Sequence, residues 1–326
     1  MAYTTIDDPT AYFQCELWTG NGSARSITLS GNSDLQPDMV WLKQRSGTEN
    51  HNLYDSVRGA GKRIIPNLTN SESTTNELTA FNSDGFSLAD GDEVNKSSST
   101  YVSWNWKETA DAGFDIVSYA GNDTARTISH SLSAVPKMMI VKCRNVGKEW
   151  TIFHASQGNG KFIELDNNSA VQTATNRWND TSPTSSVFTV GVDSSVNAAD
   201  QTYIAYLFAE KQGYSKFGTY IGNANADGPF VYTGFMPAFV ICKKSSASGD
   251  WELYDNKRNG FNNGNVRVIP NANDAETGTG RLSLLSNGFK ITTSSGNLNT
   301  NSATYIFMAF AESPFVTSTG VPTTAR

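Results

Sequence analysis

Histidine and carboxylate side chains are the groups of this sequence that could transfer protons, and they are few and scattered. The three histidines are His51, His130 and His154. None of them lies in a motif that places a nucleophile, a histidine and an acid at a recognised spacing, as acid–base and nucleophilic chemistry require. We therefore predict histidines that cap turns or face solvent, and no catalytic residues.

Two glutamates in related surroundings are the candidates for glycoside hydrolysis, which needs two carboxyl groups at a defined separation. Glu72 lies in "NSEST" and Glu276 in "NDAET", whereas a third stretch of the same kind, "NSAVQ", has no acid. We interpret both glutamates as groups that cap loops. A hydrolytic pair stays an alternative, because a sequence does not give the distance between two carboxyl groups.

Charged residues also recur close together in two kinds of turn. Asp55 and Arg58 in "YDSVRG" correspond to Asp255 and Arg258 in "YDNKRN". We interpret them as surface pairs that brace a turn and add little stability, with a ligand-binding arginine as the alternative. The acidic turn "DGDE" (90–93) offers oxygen ligands for calcium. The corresponding loops "VDSSVN" and "SSGNLN" lack these acids, so we predict no metal and no cofactor.

Two further features are candidates for recognition and for turn formation. Trp178 lies in the polar loop "NRWNDTSP", where an exposed ring could stack on a sugar, and we mark it as a candidate glycan contact. A Gly-Asn turn occurs three times, and both residue types tolerate the positive φ of tight turns. No helix follows these turns, which excludes a phosphate-binding loop. The turn positions are Gly20, Asn21, Gly121, Asn122, Gly222 and Asn223.

The Gly-Asn turn is the first of five sequence markers that recur three times in the same order. The others are a proline-led strand ("PDMVWLKQR"), an aromatic strand ("HNLYD"), a Gly-Phe strand ("DGFSL") and a closing strand ("TYVSWNW"), each with two later counterparts. We predict three repeats of about 100 residues, each large enough for a core of its own. Their bounds are 12–108, 113–211 and 214–312, with an N-terminal arm at 1–11 and a C-terminal tail at 313–326.

The elements that position these residues are predicted to be strands. Each repeat contains about seven or eight strand-like stretches between Gly, Asn and Ser turns, which is typical of a β-sandwich or jelly roll. In the closing strand, Val102, Trp104 and Trp106 alternate with smaller residues, so the bulky set should face the core. Linkers of six or seven residues keep the repeats packed closely together. The predicted fold class is all-β.

Composition excludes several classes of protein. The 326 residues carry a net charge of −6 without a basic cluster, which disfavours nucleic-acid binding. No apolar run approaches the ~20 residues of a membrane span, so we predict no membrane insertion. The N-terminus lacks the features of a secretory signal. Cys15, Cys143 and Cys242 are predicted to be free thiols of a protein folded in a reducing cytoplasm.

The phrases "QPDMVWLKQR", "LYDSVRGAGK", "FNSDGFSL", "SKFGTYIGN", "DGPFVYTGF" and "YIAYLFAE" resemble a three-repeat family of virion structural, tail-fibre-like proteins of marine tailed bacteriophages, which infect cyanobacteria and pelagic bacteria. The resemblance covers essentially the whole chain. It implies a structural role in the particle and supplies no catalytic residues. It also fits a protein that folds in the host cytoplasm and becomes exposed on the virion after lysis.

The resulting expectation is a non-enzymatic tail fibre or tail appendage that takes part in host attachment, with the N-terminal arm docking to the particle. A head decoration protein is the alternative, because three similar lobes could cap a symmetric site on a capsid. An enzyme that degrades surface polysaccharide is the third hypothesis. The expected partners are other virion proteins of the tail or capsid, a host surface glycan and further copies of the chain.

Overall fold

The computed structural model describes residues 2–259, 266–278 and 280–323. Strands make up 43% and helices 7% of the chain, and the strands pair antiparallel, so the prediction of an all-β fold is confirmed. We use first, second and third segment for residues 12–108, 113–211 and 214–312. Their interpretation as copies of one repeat, and the domain bounds themselves, stay predictions.

The first segment forms a four-stranded sheet in the order β1-β9-β3-β4 and a three-stranded sheet in the order β2-β8-β7. Its elements are β1 Phe13–Thr19, β2 Arg25–Ile27, β3 Met39–Gln44, β4 Asn52–Asp55, β5 Lys62–Arg63, β6 Ser73–Thr74, β7 Leu78–Asn82, β8 Gly85–Leu88, α1 Asp92–Asn95 and β9 Thr100–Trp106. A short 3-10 helix, Pro9–Ala11, precedes them.

The second segment forms a six-stranded sheet in the order β10-β17-β12-β13-β14-β15 and a two-stranded sheet of β11 and β16. Its elements are β10 Phe114–Ala120, β11 Arg126–Ser129, β12 Pro136–Cys143, β13 Thr151–His154, a 3-10 helix at Ala155–Gln157, β14 Lys161–Glu164, β15 Gln172–Thr173, β16 Val187–Val190, α2 Ser194–Asn197 and β17 Thr202–Ala209.

The third segment forms a four-stranded sheet in the order β18-β26-β20-β21 and a three-stranded sheet in the order β19-β25-β24. Its elements are β18 Ser215–Ile221, β19 Phe230–Tyr232, β20 Phe235–Lys244, β21 Trp251–Asp255, α3 Asn256–Asn259, β22 Val266–Arg267, β23 Thr277–Gly278, β24 Leu282–Leu285, β25 Gly288–Ile291, α4 Gly296–Asn299 and β26 Thr304–Pro314.

The closing strands β9, β17 and β26 each lie inside a sheet, and their bulky side chains meet in one central core. The ring centroid of Phe310 lies 5.7 Å from that of Trp106 and 5.9 Å from that of Phe208. The alternation of bulky and small residues therefore predicted the core-facing side correctly. The inward side chains of the three strands are Trp104, Trp106, Tyr206, Phe208, Met308 and Phe310.

The opposite faces of these sheets pack on the smaller sheets of the same segments. In the first segment Val40 and Tyr101 lie in one buried cluster with Phe86, and in the second Val141 packs with Phe188. This face-to-face packing of two sheets is a β-sandwich arrangement. The corresponding residues of the third segment belong to the central core itself.

The predicted N-terminal arm packs on two segments: Tyr3 and Thr4 contact the third, and Thr10 bonds Asn32 of the first. Its docking to a particle stays a prediction. Ile6 is 3% exposed because it contributes to the central core. The hydroxyl of Thr4 donates to the carbonyl of Gln212 at 2.8 Å, and that of Tyr3 donates to Gly234 at 2.6 Å. Strand β26 continues to Pro314, two residues beyond the predicted end of the third repeat. Residues 324–326 of the predicted tail lie outside the described residues.

The cysteines and the helices were also the subject of predictions. Cys15, Cys143 and Cys242 are free and buried. Burial raises the pKa of the Cys242 thiol, as it does that of Cys15. None of the helices in the described part of the chain is long and apolar enough to cross a membrane.

Candidate functional site

Trp178 is not a surface residue, and its proposed contact with a glycan is wrong. Its side chain is 1% exposed and packs edge-on against Phe153, with ring centroids 5.9 Å apart. The indole nitrogen donates to the carbonyl of Lys161 at 3.0 Å. A buried indole with a satisfied N–H is a core group.

The Gly-Asn turns form where expected, but for a different reason than positive φ. None of their six residues is among the described residues with positive φ. A Cβ on Gly20 would lie 2.1 Å from the carbonyl oxygen of Lys96, and one on Gly121 would lie 2.0 Å from that of Ala198. A Cβ on Gly222 would lie 2.2 Å from the carbonyl oxygen of Thr300. Glycine is required because another backbone segment passes against each turn.

Those neighbouring backbones are held by three buried asparagines that the sequence reasoning missed. The amide of Asn95 donates to the side chain of Asn21 at 3.1 Å and to the carbonyl of Ser23 at 2.6 Å. Asn197 and Asn299 make the same kind of contacts in the other segments. Each stands five residues before its closing strand, in "VNKSSST", "VNAADQT" and "LNTNSAT", a spacing that could have identified them.

The Asp-Arg pairs are buried between segments, so their interpretation as surface pairs is wrong. The side chains of Asp55 and Arg58 are both 0% exposed, and Arg58 Nε donates to Asp55 Oδ2 at 2.5 Å. The same carboxylate oxygen accepts a hydrogen bond of 2.6 Å from the hydroxyl of Tyr206 in the second segment. The pair therefore joins two segments as well as bracing a turn.

Glu72 extends this network at the boundary of the first and second segments. Its carboxylate accepts from Arg58 Nη1 at 3.3 Å and from Arg144 through two guanidinium nitrogens at 2.9 and 3.2 Å. Burial would raise the pKa of Glu72, but the hydrogen bond from Arg144 and the two positive charges outweigh it and lower the pKa. This geometry fits a structural ion pair, and the loop-capping interpretation misses the partner segment.

The boundary of the third and first segments repeats the arrangement with other residues. Arg258 Nε donates to Asp255 Oδ2 at 2.5 Å, and this carboxylate accepts from the indole of Trp104 at 3.0 Å. Glu276 binds Arg45 through two hydrogen bonds of 2.7 and 2.9 Å. Tyr206 and Trp104 occupy corresponding register positions, opposite Ile140 and Trp41.

The boundary of the second and third segments lacks all four charges. His154 and Gln157 stand where the other boundaries have aspartate and arginine, while Val171 and Ser245 replace the glutamate and the second arginine. The backbone contact is nevertheless the same. The amide of Val171 donates to the carbonyl of Ser245 at 3.0 Å, just as Glu72 N donates to Arg144 O at 2.6 Å and Glu276 N to Arg45 O at 2.9 Å.

A cleft of about 460 Å³ lies at this uncharged boundary. We call it the open cleft; its lining is Ser156, Gln157, Lys161, Ala170, Val171, Thr219, Ser245, Ser246 and Thr304. A recess of about 300 Å³ beside Tyr3 and Tyr232, and one of about 230 Å³ beside Lys257, are smaller. The open cleft is the candidate functional site because it marks where one of three otherwise matching boundaries differs.

Hydroxyl groups dominate the open cleft. Ser245 donates to the carbonyl of Thr304 at 3.1 Å, and the Ser246 hydroxyl accepts from the amide of Thr304 at 3.0 Å. These bonds fix two hydroxyl oxygens that keep further hydrogen-bonding capacity. The ammonium of Lys161 has no ion-pair partner within the described ranges. The lining is therefore polar, with a single positive charge.

A second contact is repeated at all three boundaries. The indole of Trp150 donates to the carbonyl of Ile65 at 3.0 Å, and that of Trp251 donates to Glu164 at 2.8 Å. At the third boundary His51 Nε2 lies 3.1 Å from the carbonyl of Ile269. Each segment thus contacts the next, and the third returns to the first.

Two of the three histidines are buried, so the prediction that they cap turns or face solvent is wrong for His51. His154 does cap a turn, because its ring accepts from the amide of Ser156. Burial, and to a lesser degree the charge of Lys43, lower the pKa of His51 to about 3. Burial lowers the pKa of His154 to about 4, although its hydrogen bond to the carbonyl of Phe307 opposes the shift. His130 is half-buried and its ring contacts the carbonyl of Thr184 at 3.2 Å.

Acidic groups in the described part of the chain are not gathered for a metal ion. No cluster of three or more His, Cys, Asp or Glu side chains is found there. Within the acidic turn 90–93, Glu93 pairs with Arg63 and Asp92 lies near Lys96. Two of the three carboxylates of that turn, those of Asp92 and Glu93, therefore lie beside cations of the protein itself.

Comparison with known families gives one match. The family described as "Domain of unknown function (DUF7483)" matches residues 8–314, most of the chain. No curated protein matches the chain. The chain belongs to the DUF7483 family.

Proposed function

We propose that this member of the DUF7483 family is a non-enzymatic structural protein of a bacteriophage virion, most simply a tail fibre or tail appendage that takes part in host attachment. The observation that carries the proposal is the closed ring of three segments. The sequence resemblance to virion proteins of marine tailed phages supports the same placement.

The residues that recur among the three segments make contacts within the chain. The aspartates and arginines at 55, 58, 255 and 258 bond one another and the neighbouring segment. The three asparagines hold the Gly-Asn turns. Residues that recur three times thus serve packing, which suits a structural protein and leaves the outer loops for recognition.

The absence of enzymatic activity is part of the proposal. Glu72 and Glu276 face two different boundaries and each binds an arginine there. His51 and His154 contact backbone carbonyls in buried surroundings. Groups tied in this way are poorly suited to transfer protons to a substrate, because transfer needs reach and an accessible pKa.

A head decoration protein is the second candidate. Three corresponding sheets pack around one core, and the same contacts recur around it, so a single chain presents an approximate threefold arrangement. Such a body could sit on a threefold or locally threefold site of a capsid, where matching symmetry lets equivalent surfaces meet.

Imaging of intact particles separates these candidates. The chain would be tagged at Thr323, near the end of the described residues, and located by gold-labelled antibody and by cryo-electron microscopy of the phage that encodes it. Density on the tail supports the tail appendage, and density on the head supports the decoration protein. Particles that lack the chain altogether would overturn both.

A further inference from the structure

We propose that the open cleft between the second and third segments binds a saccharide of the host surface. The inference rests on the proposed function for the source of the saccharide, but its chemistry rests on the cleft alone. The observation behind it is that long, ion-paired side chains bridge the two matching boundaries where this one holds small neutral side chains.

The side chains at this boundary are smaller than those at the other two. At the other boundaries an arginine and a glutamate meet, Arg144 with Glu72 and Arg45 with Glu276. At this boundary the same positions hold Ser245 and Val171, while the backbone bond between them persists. The segments are thus held at a similar distance with less side-chain volume between them. The remaining space of about 460 Å³ lies in the range of small-molecule sites.

The chemistry of the lining selects the class of ligand. A hydroxyl group donates one hydrogen bond and accepts two, and the amide of Gln157 does both. Ser156 and Thr219 are exposed on opposite segments and can be reached together from solvent. A saccharide presents hydroxyl groups that also donate and accept. Its hydroxyl groups can therefore make the same hydrogen bonds to this lining that solvent water makes.

Other ligands fit the lining less well. A protein partner usually buries an aromatic or aliphatic anchor in a dry pocket, and the apolar lining here is limited to Ala170 and Val171. Lys161 is the charged residue of the lining, so a cationic ligand is disfavoured. The cleft therefore suits a neutral saccharide or one with an acidic group near Lys161.

The test uses the purified full chain and an array of bacterial surface polysaccharides and their oligosaccharide fragments, followed by saturation-transfer NMR on the fragments that bind. We expect transfer to the sugar ring protons of at least one fragment. The double variant V171E/S245R rebuilds the ion pair of the other boundaries inside the cleft. It should lower affinity at least tenfold while the melting temperature stays within a few degrees.

Two single variants keep the test decisive if the double variant does not fold. Thr219→Val removes one hydroxyl at nearly constant shape, and Gln157→Ala removes the amide; each should weaken binding several-fold. Thr127→Val is the matched control, because Thr127 is an exposed strand threonine of β11 outside the lining. It should leave binding unchanged.

Several results would overturn the site. One is a wild-type chain that binds no member of the array. Another is binding that survives V171E/S245R, Thr219→Val and Gln157→Ala undiminished. The particle test is independent of these outcomes. A chain that binds a saccharide but is absent from virions refutes the proposed function alone, and a tail protein that binds none refutes the cleft alone.

Discussion

The boundary between the first and second segments and the boundary between the second and third share a backbone arrangement but differ in chemistry. At the first, Asp55, Arg58, Glu72 and Arg144 form a buried and half-buried ion network. At the second, His154 and three other neutral residues stand in their places. The comparison shows that the backbone and the apolar core determine the contact between segments. The ion network is not required for that contact.

The choice between aspartate and histidine follows from the facing strand. The carboxylate of Asp55 accepts from the hydroxyl of Tyr206, and that of Asp255 accepts from the indole of Trp104. At the uncharged boundary the corresponding residue of β26 is Met308, opposite Ile241 in the register. A thioether donates no hydrogen bond. A buried aspartate there would lack a hydrogen-bond donor on the facing strand, whereas a neutral histidine binds the carbonyl of Phe307 instead.

Charges at a boundary do not by themselves make it more stable. Burying an ion pair costs about as much in desolvation as its attraction returns, and apolar replacements are often neutral. Breaking one partner of such a pair, in contrast, leaves a buried charge and is costly. The two kinds of boundary should therefore be similar in stability when intact and very different when one residue is removed.

The largest effect is expected from Asp55→Ala. It leaves the buried guanidinium of Arg58 without its closest carboxylate and the hydroxyl of Tyr206 without its acceptor. We expect a loss of about 3–5 kcal/mol in the free energy of unfolding. His154→Ala, the matched change at the uncharged boundary, removes a neutral group and should cost about 1–3 kcal/mol. Denaturant titrations of both variants measure the difference, and equal losses would contradict the comparison.

The second-largest effect is expected in the pH dependence of stability, to which the buried His154 of the uncharged boundary contributes. The folded pKa of His154, about 4, lies below the unfolded value near 6.5, so the unfolded chain binds more protons between these values. The contribution of His154 to the free energy of unfolding is complete above pH 6.5 and declines as pH falls towards 4. We expect a decline of up to about 1.4 kcal/mol per pH unit from this group.

His154→Gln isolates that contribution, because His51 and the carboxylates titrate in both proteins. At pH 4.5 the variant should have lost about 2–3 kcal/mol less than the wild type, relative to pH 7.5. The measurement is thermal or denaturant unfolding at both pH values. Parallel pH profiles for the two proteins would show that His154 is not buried in its neutral form.

A smaller effect is expected from Glu72→Gln at the charged boundary. The amide keeps the shape and one acceptor oxygen, but it loses the charge that faces Arg58 and Arg144. Because Glu72 is partly accessible, solvent screens these pairs, and we expect a loss of about 1–2 kcal/mol. The loss should shrink when denaturant titrations are repeated in 1 M salt, where screening is stronger. A loss independent of salt would mean that packing, rather than charge, holds this position.

The sequence was sufficient for part of this comparison. Its threefold pattern predicted the strands, and the alternation in the closing strands placed Trp104, Tyr206 and Met308 on the core side. These are local signals, because strand periodicity follows from neighbouring residues. The all-β class follows from the same patterns.

The partners could not be predicted, because they are distant along the chain. Asp55 and Tyr206 are 151 positions apart, and nothing in "YDSVRG" indicates that its carboxylate is buried against another segment. Trp178 was misjudged for a related reason, since a polar local sequence does not show that Phe153 covers the ring. Which segments touch is decided by tertiary packing. Aligning the three stretches would have shown that the four charges are replaced together.

The smallest change in stability is expected when the missing ion pair is rebuilt. V171E/S245R places glutamate and arginine where the other boundaries carry them, on a backbone already joined by the bond from Val171 to Ser245. The new pair would be largely buried, like Arg45 with Glu276, whose side chains are 18% and 19% exposed. Because the desolvation cost of such a pair roughly offsets its attraction, it should change the free energy of unfolding by less than about 1 kcal/mol. Val171→Glu alone should cost more than the double variant, because its carboxylate then faces the boundary without an arginine. A double-mutant cycle of denaturant titrations measures this coupling. If the two substitutions are additive, the backbones at this boundary are not placed as at the others, and the correspondence of the three boundaries fails.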